Sequence, residues 1–294
     1  MGLKILVTGK QGQVGWELAR SMTCLGEVIA LDRAGLDLSQ PETIRQTLRE
    51  LRPQLIVNAA AYTAVDQAEK EPDLAQAING TAPGILAEEA QRLGAALVHY
   101  STDYVFDGTK RTPYRESDPV QPLGVYGQTK LAGEQAIQAV GVPHLILRTS
   151  WVYGMRGKNF LLTILRLARE REELKIVEDQ TGAPTPSGML GDFTTQILLQ
   201  GKGDPVGLLQ ARGGLYHLSA AGETTWYHFA RVLLERISDP ERKLQRLLPI
   251  PTSAYPTPAQ RPAYSVLDNQ RLQTAFQLQT PTWEEALSRC TQGA

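Results

Sequence analysis

Short runs rich in Val, Ile and Leu alternate with amphipathic stretches through the first half of the chain. The runs at 3–7, 28–31, 55–57, 96–99 and 145–147 are apolar throughout and read as buried strands. Helix-like periodicity fills the segments between them, at 14–25, 42–51, 73–93 and 127–140. Strands alternating with helices imply parallel βαβ units, because a parallel connection must cross back over the sheet. Right-handed crossovers then place helices on both faces. The pattern predicts an α/β fold with a doubly wound parallel sheet.

After Trp151 the pattern loosens. Helices are expected at 160–170, 189–200 and 225–237, with short strand-like pieces at 175–177 and 216–218. The stretch carrying Pro249, Pro251, Pro256, Pro258 and Pro262 admits neither regular helix nor central strand. The plan is a first domain over 1–150 and a smaller C-terminal α/β region over 151–294, some segments of which return to the first domain.

A 294-residue chain with 42% hydrophobic and 21% charged residues suits one large α/β domain, or two smaller units with a sizeable core. Its 30 basic and 31 acidic residues give a net charge of -1, which offers no global attraction for nucleic acid or an anionic membrane. Cys24 and Cys290 supply neither a disulfide framework nor a close metal-ligand pair, so a reducing compartment is expected. The N-terminus reads as a first buried strand rather than a secretion signal, and no apolar run nears the roughly 20 residues that span a bilayer. A cytoplasmic protein is expected.

Gly9-Lys10-Gln11-Gly12-Gln13-Val14-Gly15 lies between the first strand and the first helix. Glycine serves a tight turn there, close approach of backbone to a pyrophosphate, and close packing of helix on strand. The helix start adds free N–H groups and a positive dipole end. A glycine-rich turn alone needs no ligand; the flanking strand and helix make this one a candidate dinucleotide site of the Rossmann kind. The second strand ends at Asp32-Arg33. Asp32 can accept from the 2′-hydroxyl of NAD, and Arg33 can meet the 2′-phosphate of NADP. Asp37 and Leu38 follow in a loop able to border the adenine. Ala61, Tyr62 and Thr63 follow the third strand, where small side chains let a ligand lie against backbone.

Ser101-Thr102-Asp103 closes the fourth strand, and Tyr126 and Lys130 stand four residues apart on the next helix, hence on one face. A phenol with an unperturbed pKa near 10 exchanges protons poorly at neutral pH. A nearby ammonium and an oxidised nicotinamide favour the phenolate and are expected to lower that value. A hydroxyl from Thr102 or Ser101 can hold a carbonyl oxygen while hydride reaches carbon and Tyr126 delivers a proton. Lys130 can also bridge ribose hydroxyls. A tyrosine beside a helical lysine is by itself commonplace; the hydroxyl cluster and the glycine turn give the pair its meaning. His99 reads as a satisfied core histidine, Trp226 and Phe229 as helix packing, and His217 and His228 lack a third ligand at metal spacing.

These residues together resemble the extended short-chain dehydrogenase/reductases, and within them the dTDP-4-dehydrorhamnose reductases. The similarity runs essentially end to end. It is carried by Gly9-Lys-Gln-Gly-Gln-Val-Gly-Trp-Glu-Leu18, Val57-Asn-Ala-Ala-Ala-Tyr-Thr-Ala-Val-Asp66, Tyr100-Ser-Thr-Asp-Tyr-Val-Phe-Asp-Gly108, Tyr126-Gly-Gln-Thr-Lys-Leu-Ala-Gly-Glu134, Arg148-Thr-Ser-Trp-Val-Tyr-Gly154 and Asp179-Gln-Thr-Gly-Ala-Pro-Thr185. The resemblance implies NADPH- or NADH-dependent reduction of dTDP-4-dehydro-β-L-rhamnose to dTDP-β-L-rhamnose. It implies catalysis by Thr102, Tyr126 and Lys130, cofactor contacts at Gly12–Val14, Asp32, Asp37–Leu38 and Ala61–Thr63, and substrate contacts at Thr102, Asp103 and Trp151. The partner implied is a dTDP-sugar, and the working form a monomer or homodimer.

Two departures stand out. The family's Arg-Pro-x-Asn-Ser string reads Arg261-Pro-Ala-Tyr264-Ser here. Some members hold Mg²⁺ between subunits with glutamates; one such position falls on Glu17, the other on Gly188, which argues against that metal here. Two other readings of the same residues are a nucleotide-sugar epimerase or dehydratase, which recycles bound NAD, and a non-catalytic subunit resembling the methionine adenosyltransferase β-subunit. Presence of Thr102, Tyr126 and Lys130 disfavours the latter.

Overall fold

The five apolar runs become adjacent strands because each must bury both faces at once. In the computed structural model, which describes residues 2–292, they are β1 (Leu3–Thr8), β2 (Gly26–Leu31), β3 (Leu55–Asn58), β4 (Ala96–Thr102) and β5 (His144–Thr149). A sixth strand, β6 (Gly214–His217), joins the far edge, and the order is β2-β1-β3-β4-β5-β6 with every pairing parallel. Alternate residues feed two separate apolar layers. Ile5, Val7, Leu55, Val57, Val98, Leu145 and Leu147 lie in one, and Leu6, Ile56, Leu97 and Ile146 in the other. That two-sided burial is why the runs show no polar alternation.

The layer with Leu6 is covered by α2 (Pro41–Leu51), α3 (Ala82–Leu93) and α4 (Val125–Val140), through Ile44, Leu48, Ile85, Leu86 and Ile137. The opposite layer is covered by α1 (Gln13–Ser21), α5 (Phe160–Glu170), α6 (Ser187–Leu199), α7 (Pro205–Arg212) and α8 (Trp226–Arg236). Two short helices, α9 (Gln270–Phe276) and α10 (Trp283–Thr291), complete that side. The segment expected as one helix over 73–93 is a helical run with a π turn, Gln76–Thr81, ahead of α3. α7, α9 and α10 lie outside the predicted helices; the first two are 8 and 7 residues long, too short for a clear periodic signal.

Beyond β5 the strands are small. Val152–Tyr153 pairs with Thr185–Pro186, Thr181–Gly182 with Thr224–Thr225, and Glu173–Val177 with Arg246–Ile250. Pro249 sits in the last of these, tolerated because a two-stranded ribbon has only edges. From β1 the chain winds to β2 on one side and then to β3 on the other. The reversal opens a crevice at the carboxyl ends of the strands. No helix among the described residues is long and apolar enough to cross a membrane.

Candidate active site

The crevice is a cavity of about 800 Å³, within the range that holds organic ligands. Its first wall is the glycine turn. Gly9 has φ +73°, and a Cβ there would press on Ala60 at 3.0 Å; the turn closes by Gly12 N–H donating to Gly9 O at 2.8 Å. Gly12 caps α1 without a side-chain hydrogen bond, and the first turn of α1 carries no acidic residue. The helix start therefore offers its N–H groups and positive dipole end to the cavity. Gly9, Gly12, Gln13 and Val14 line it. Gly15, expected among the contacts, does not: a Cβ there would meet Gly9 O at 2.1 Å, so this glycine serves the packing of helix on strand.

Asp32, Arg33, Asp37 and Leu38 line the next stretch. Asp32 accepts from Gln11 Nε2 at 2.8 Å and Gly35 N at 3.2 Å, which hold its carboxyl below the ordinary value. Arg33 is 73% exposed and leans on Asp37 at 3.4 Å. Ala61, Tyr62 and Thr63 border the opposite side. Asn79 clamps this loop by accepting from Tyr62 N at 2.8 Å and donating to Tyr62 O at 3.0 Å. Asn79 belongs to the π turn, so the irregular helix positions the loop.

The far end gathers Thr102, Asp103, Tyr126, Lys130 and Trp151 around one space. Thr102 Oγ1 accepts from Tyr104 N at 3.2 Å and donates to Asp103 Oδ1 at 3.1 Å. Ser101 is taken out of contention, because its hydroxyl is bonded to Glu134, itself paired with Arg148 at 2.6 Å. Asp103 is buried with one carboxylate oxygen unpartnered, and burial pushes its carboxyl up to about 6.

The titration of the tyrosine differs from expectation. Burial pushes Tyr126 up to about 12, Asp103 adding to the rise while the Thr102 hydroxyl draws it back. Lys130 is buried too, and loss of water lowers its ammonium to about 8 against the pull of Glu134. Its Nζ donates to Tyr100 O at 2.6 Å and lies 3.2 Å from His99 Nε2; no hydrogen bond joins it to Tyr126. Low solvation, not the four-residue spacing, sets the phenol.

Trp226, read as helix packing, does pack against the core, and it lines the cavity as well. Its ring stacks on Trp151 at 3.5 Å and 7° and meets Phe160 at 4.6 Å with the rings tilted by 48°. Position 226 is the first residue of α8, where one side chain can serve core and cavity together. Phe229 does belong to the core. Gly157 and Lys158 also reach the cavity from a loop with no motif to announce it.

The RmlD substrate binding domain family model matches residues 3–294. A dTDP-4-dehydrorhamnose reductase from Burkholderia thailandensis is 48% identical, the alignment covering 98% of both chains. The dTDP-4-dehydrorhamnose reductase of Escherichia coli K12 is 47% identical over 98% of this chain and 96% of its own. The chain belongs to the dTDP-4-dehydrorhamnose reductase family. Among solved structures, the dTDP-4-dehydrorhamnose reductase of Bacillus anthracis in complex with NADP is 36% identical, with TM-score 0.90 and full coverage of both chains. Thermus thermophilus UDP-glucose 4-epimerase, at 18% identity and TM-score 0.77, shares the fold.

Both departures from the family string have local answers. Tyr264 donates its hydroxyl to Glu223 Oε2 at 2.8 Å, and its backbone pairs with Thr181. Glu17 is paired with Arg20 at 3.2 Å, and Gly188 beside it supplies no side-chain oxygen. Among the described residues no group of three or more His, Cys, Asp or Glu is placed to hold a metal. A dinucleotide does fit: the cavity joins an uncapped helix start, a carboxylate at the end of β2, and a buried hydroxyl pair.

Proposed function

We propose that this protein reduces dTDP-4-dehydro-β-L-rhamnose to dTDP-β-L-rhamnose with NADPH or NADH, in dTDP-rhamnose biosynthesis. The observation that carries the reading is the convergence of Thr102, Tyr126 and Lys130 at one end of a cavity whose other end is the glycine turn. The names borne by its relatives support it. In this reading residues 1–150 hold the dinucleotide, through Gly9, Gly12, Gln13, Val14, Asp32, Arg33, Asp37, Leu38 and Ala61–Thr63. Residues 151–294 mainly form the sugar side, with Trp151 as an apolar wall. The protein works in the cytoplasm as a monomer or homodimer, a choice that sedimentation velocity decides.

The nicotinamide cofactor supplies the hydride when bound. Thr102, steadied by the Tyr104 N–H, turns its hydroxyl from Asp103 to the substrate carbonyl oxygen. Tyr126 gives its proton to that oxygen as charge develops there. Its raised pKa suits the task, since a neutral phenol is the form that can donate. The Lys130 ammonium, one helical turn away, offsets the phenolate charge left behind. Asp103 borders the same end of the cavity, and its carboxylate is an acceptor for a sugar hydroxyl. Trp151 and Trp226 keep water from that end of the cavity.

The test is oxidation of NADPH against a panel of nucleotide 4-keto sugars. Turnover dependent on the dTDP sugar is expected, and in Tyr126→Phe it falls by about 10²–10⁴-fold, the range for loss of a general acid. Full turnover in a folded Tyr126→Phe removes the tyrosine from the role. Conversion of a sugar with no net NADPH consumption points to an epimerase instead.

A further inference from the structure

Buried polar groups in the sheet form a single line that ends at Lys130. The lysine is 2% exposed, and among the described residues its Nζ hydrogen-bonds only with Tyr100 O and His99 Nε2. On the other side of the ring, His99 Nδ1 lies 3.0 Å from Asn58 Nδ2. Asn58 Oδ1 accepts from the Thr8 hydroxyl at 2.7 Å, and Thr8 Oγ1 accepts from Ala60 N at 3.1 Å. The line thus crosses β4, β3 and β1 and returns to backbone that borders the cavity.

Counting donors gives the line its sense. The single Thr8 proton goes to Asn58 Oδ1, so Asn58 turns an N–H toward the ring. His99 Nδ1 is then an acceptor, and the neutral imidazole carries its proton on Nε2. That N–H faces Lys130 Nζ, which must offer a lone pair. Turning the Asn58 amide over reverses each step, and Nε2 then accepts from an ammonium. One tautomer therefore matches each state of the lysine. Burial and Lys130 hold the imidazole well below its ordinary value, so it stays neutral in both. The other charged group acting on Lys130 is Glu134 of its own helix, bound by Arg148 of β5 at 2.8 and 2.6 Å. Tyr126 and Asp103 lie on the cavity side.

We infer that His99 is a positioning residue for Lys130, fixing where the lysine nitrogen stands and changing tautomer as the lysine gains or loses its proton. The inference rests on the roles proposed above for Tyr126 and Lys130.

Replacement by the two amides separates the ring's two ends. Glutamine keeps a polar group near the Nε2 position that faces Lys130; asparagine keeps one near the Nδ1 position that faces Asn58. In NADPH oxidation with the dTDP 4-keto sugar, His99→Asn is expected to lower kcat about tenfold, as for one lost hydrogen bond. It shifts the alkaline limb of the kcat–pH profile and leaves both KM values near wild type, while His99→Gln recovers most of the loss. Wild-type kcat and profile in His99→Asn overturn the inference, as does the opposite order, with asparagine active and glutamine impaired. If His99→Asn does not fold by circular dichroism, Thr8→Val tests the line from its far end, and an unshifted profile there overturns it. Lys130→Met keeps the two readings apart. If that variant turns over normally, the role given to Lys130 falls; if it is inactive while His99→Asn is normal, only the role of His99 falls.

Discussion

Gly182→Ala puts one methyl group where the Trp151 indole already lies. A Cβ on Gly182 would stand 2.4 Å from Cε2 and 2.7 Å from Cζ2 and Nε1 of that ring. Carbon contacts are comfortable at about 3.5–4.0 Å, so the ring must move by about 1 Å. Two features resist the movement. Trp151 is held at φ +45°, a conformation bulky residues seldom adopt, and its ring is stacked on Trp226, whose own Nε1 is anchored to Gln180 at 3.2 Å. Overpacking of this kind costs about 1–3 kcal/mol. If the ring walls the sugar, that cost falls on substrate binding and raises KM for the dTDP sugar about 5- to 150-fold. The dissociation constant for NADPH, read by fluorescence quenching, stays near wild type because the glycine turn and Asp32 are at the other end of the cavity. A KM within twofold of wild type refutes the placement of Trp151 against substrate. An accompanying drop in the urea midpoint would then show that the overlap is real but only structural.

Two further outcomes follow from the geometry. Arg148→Met leaves Glu134 buried with Ser101 as its remaining bonded partner, and urea unfolding should show a loss of about 3–5 kcal/mol; adding Glu134→Leu recovers most of it, and strict additivity of the two losses contradicts the pairing. Asp103 titrates near 6 when folded against an ordinary 3.8, so folding takes up a proton between those values. Stability from this group is complete below about pH 4 and is lost as pH rises through 6, by up to about 3 kcal/mol. Asp103→Asn therefore gains stability over wild type as pH rises, while losing turnover. A pH-independent difference in urea stability between the two proteins would refute the burial of that carboxyl.

Two-sided burial of a parallel sheet leaves uninterrupted apolar runs, and βαβ winding leaves helices between them, so β1 to β5 were legible in the chain itself. The glycine turn, Asp32 and the string around Tyr126 were equally legible, because their chemistry needs particular residue types at short spacings. Function of the dTDP-sugar kind was readable only from the longer strings. The tertiary structure alone decided which polar groups share a wall. It put Trp226 against Trp151 from segments 75 residues apart, since an aromatic at a helix start can serve core or cavity alike. It withdrew Ser101 into a buried ion pair and set His99 against Lys130. It also reversed the expected titration of Tyr126. The sequence brings an ammonium one turn away, but only packing determines that the phenol is dry and that the ammonium bonds elsewhere, and desolvation outweighs a charge it does not touch.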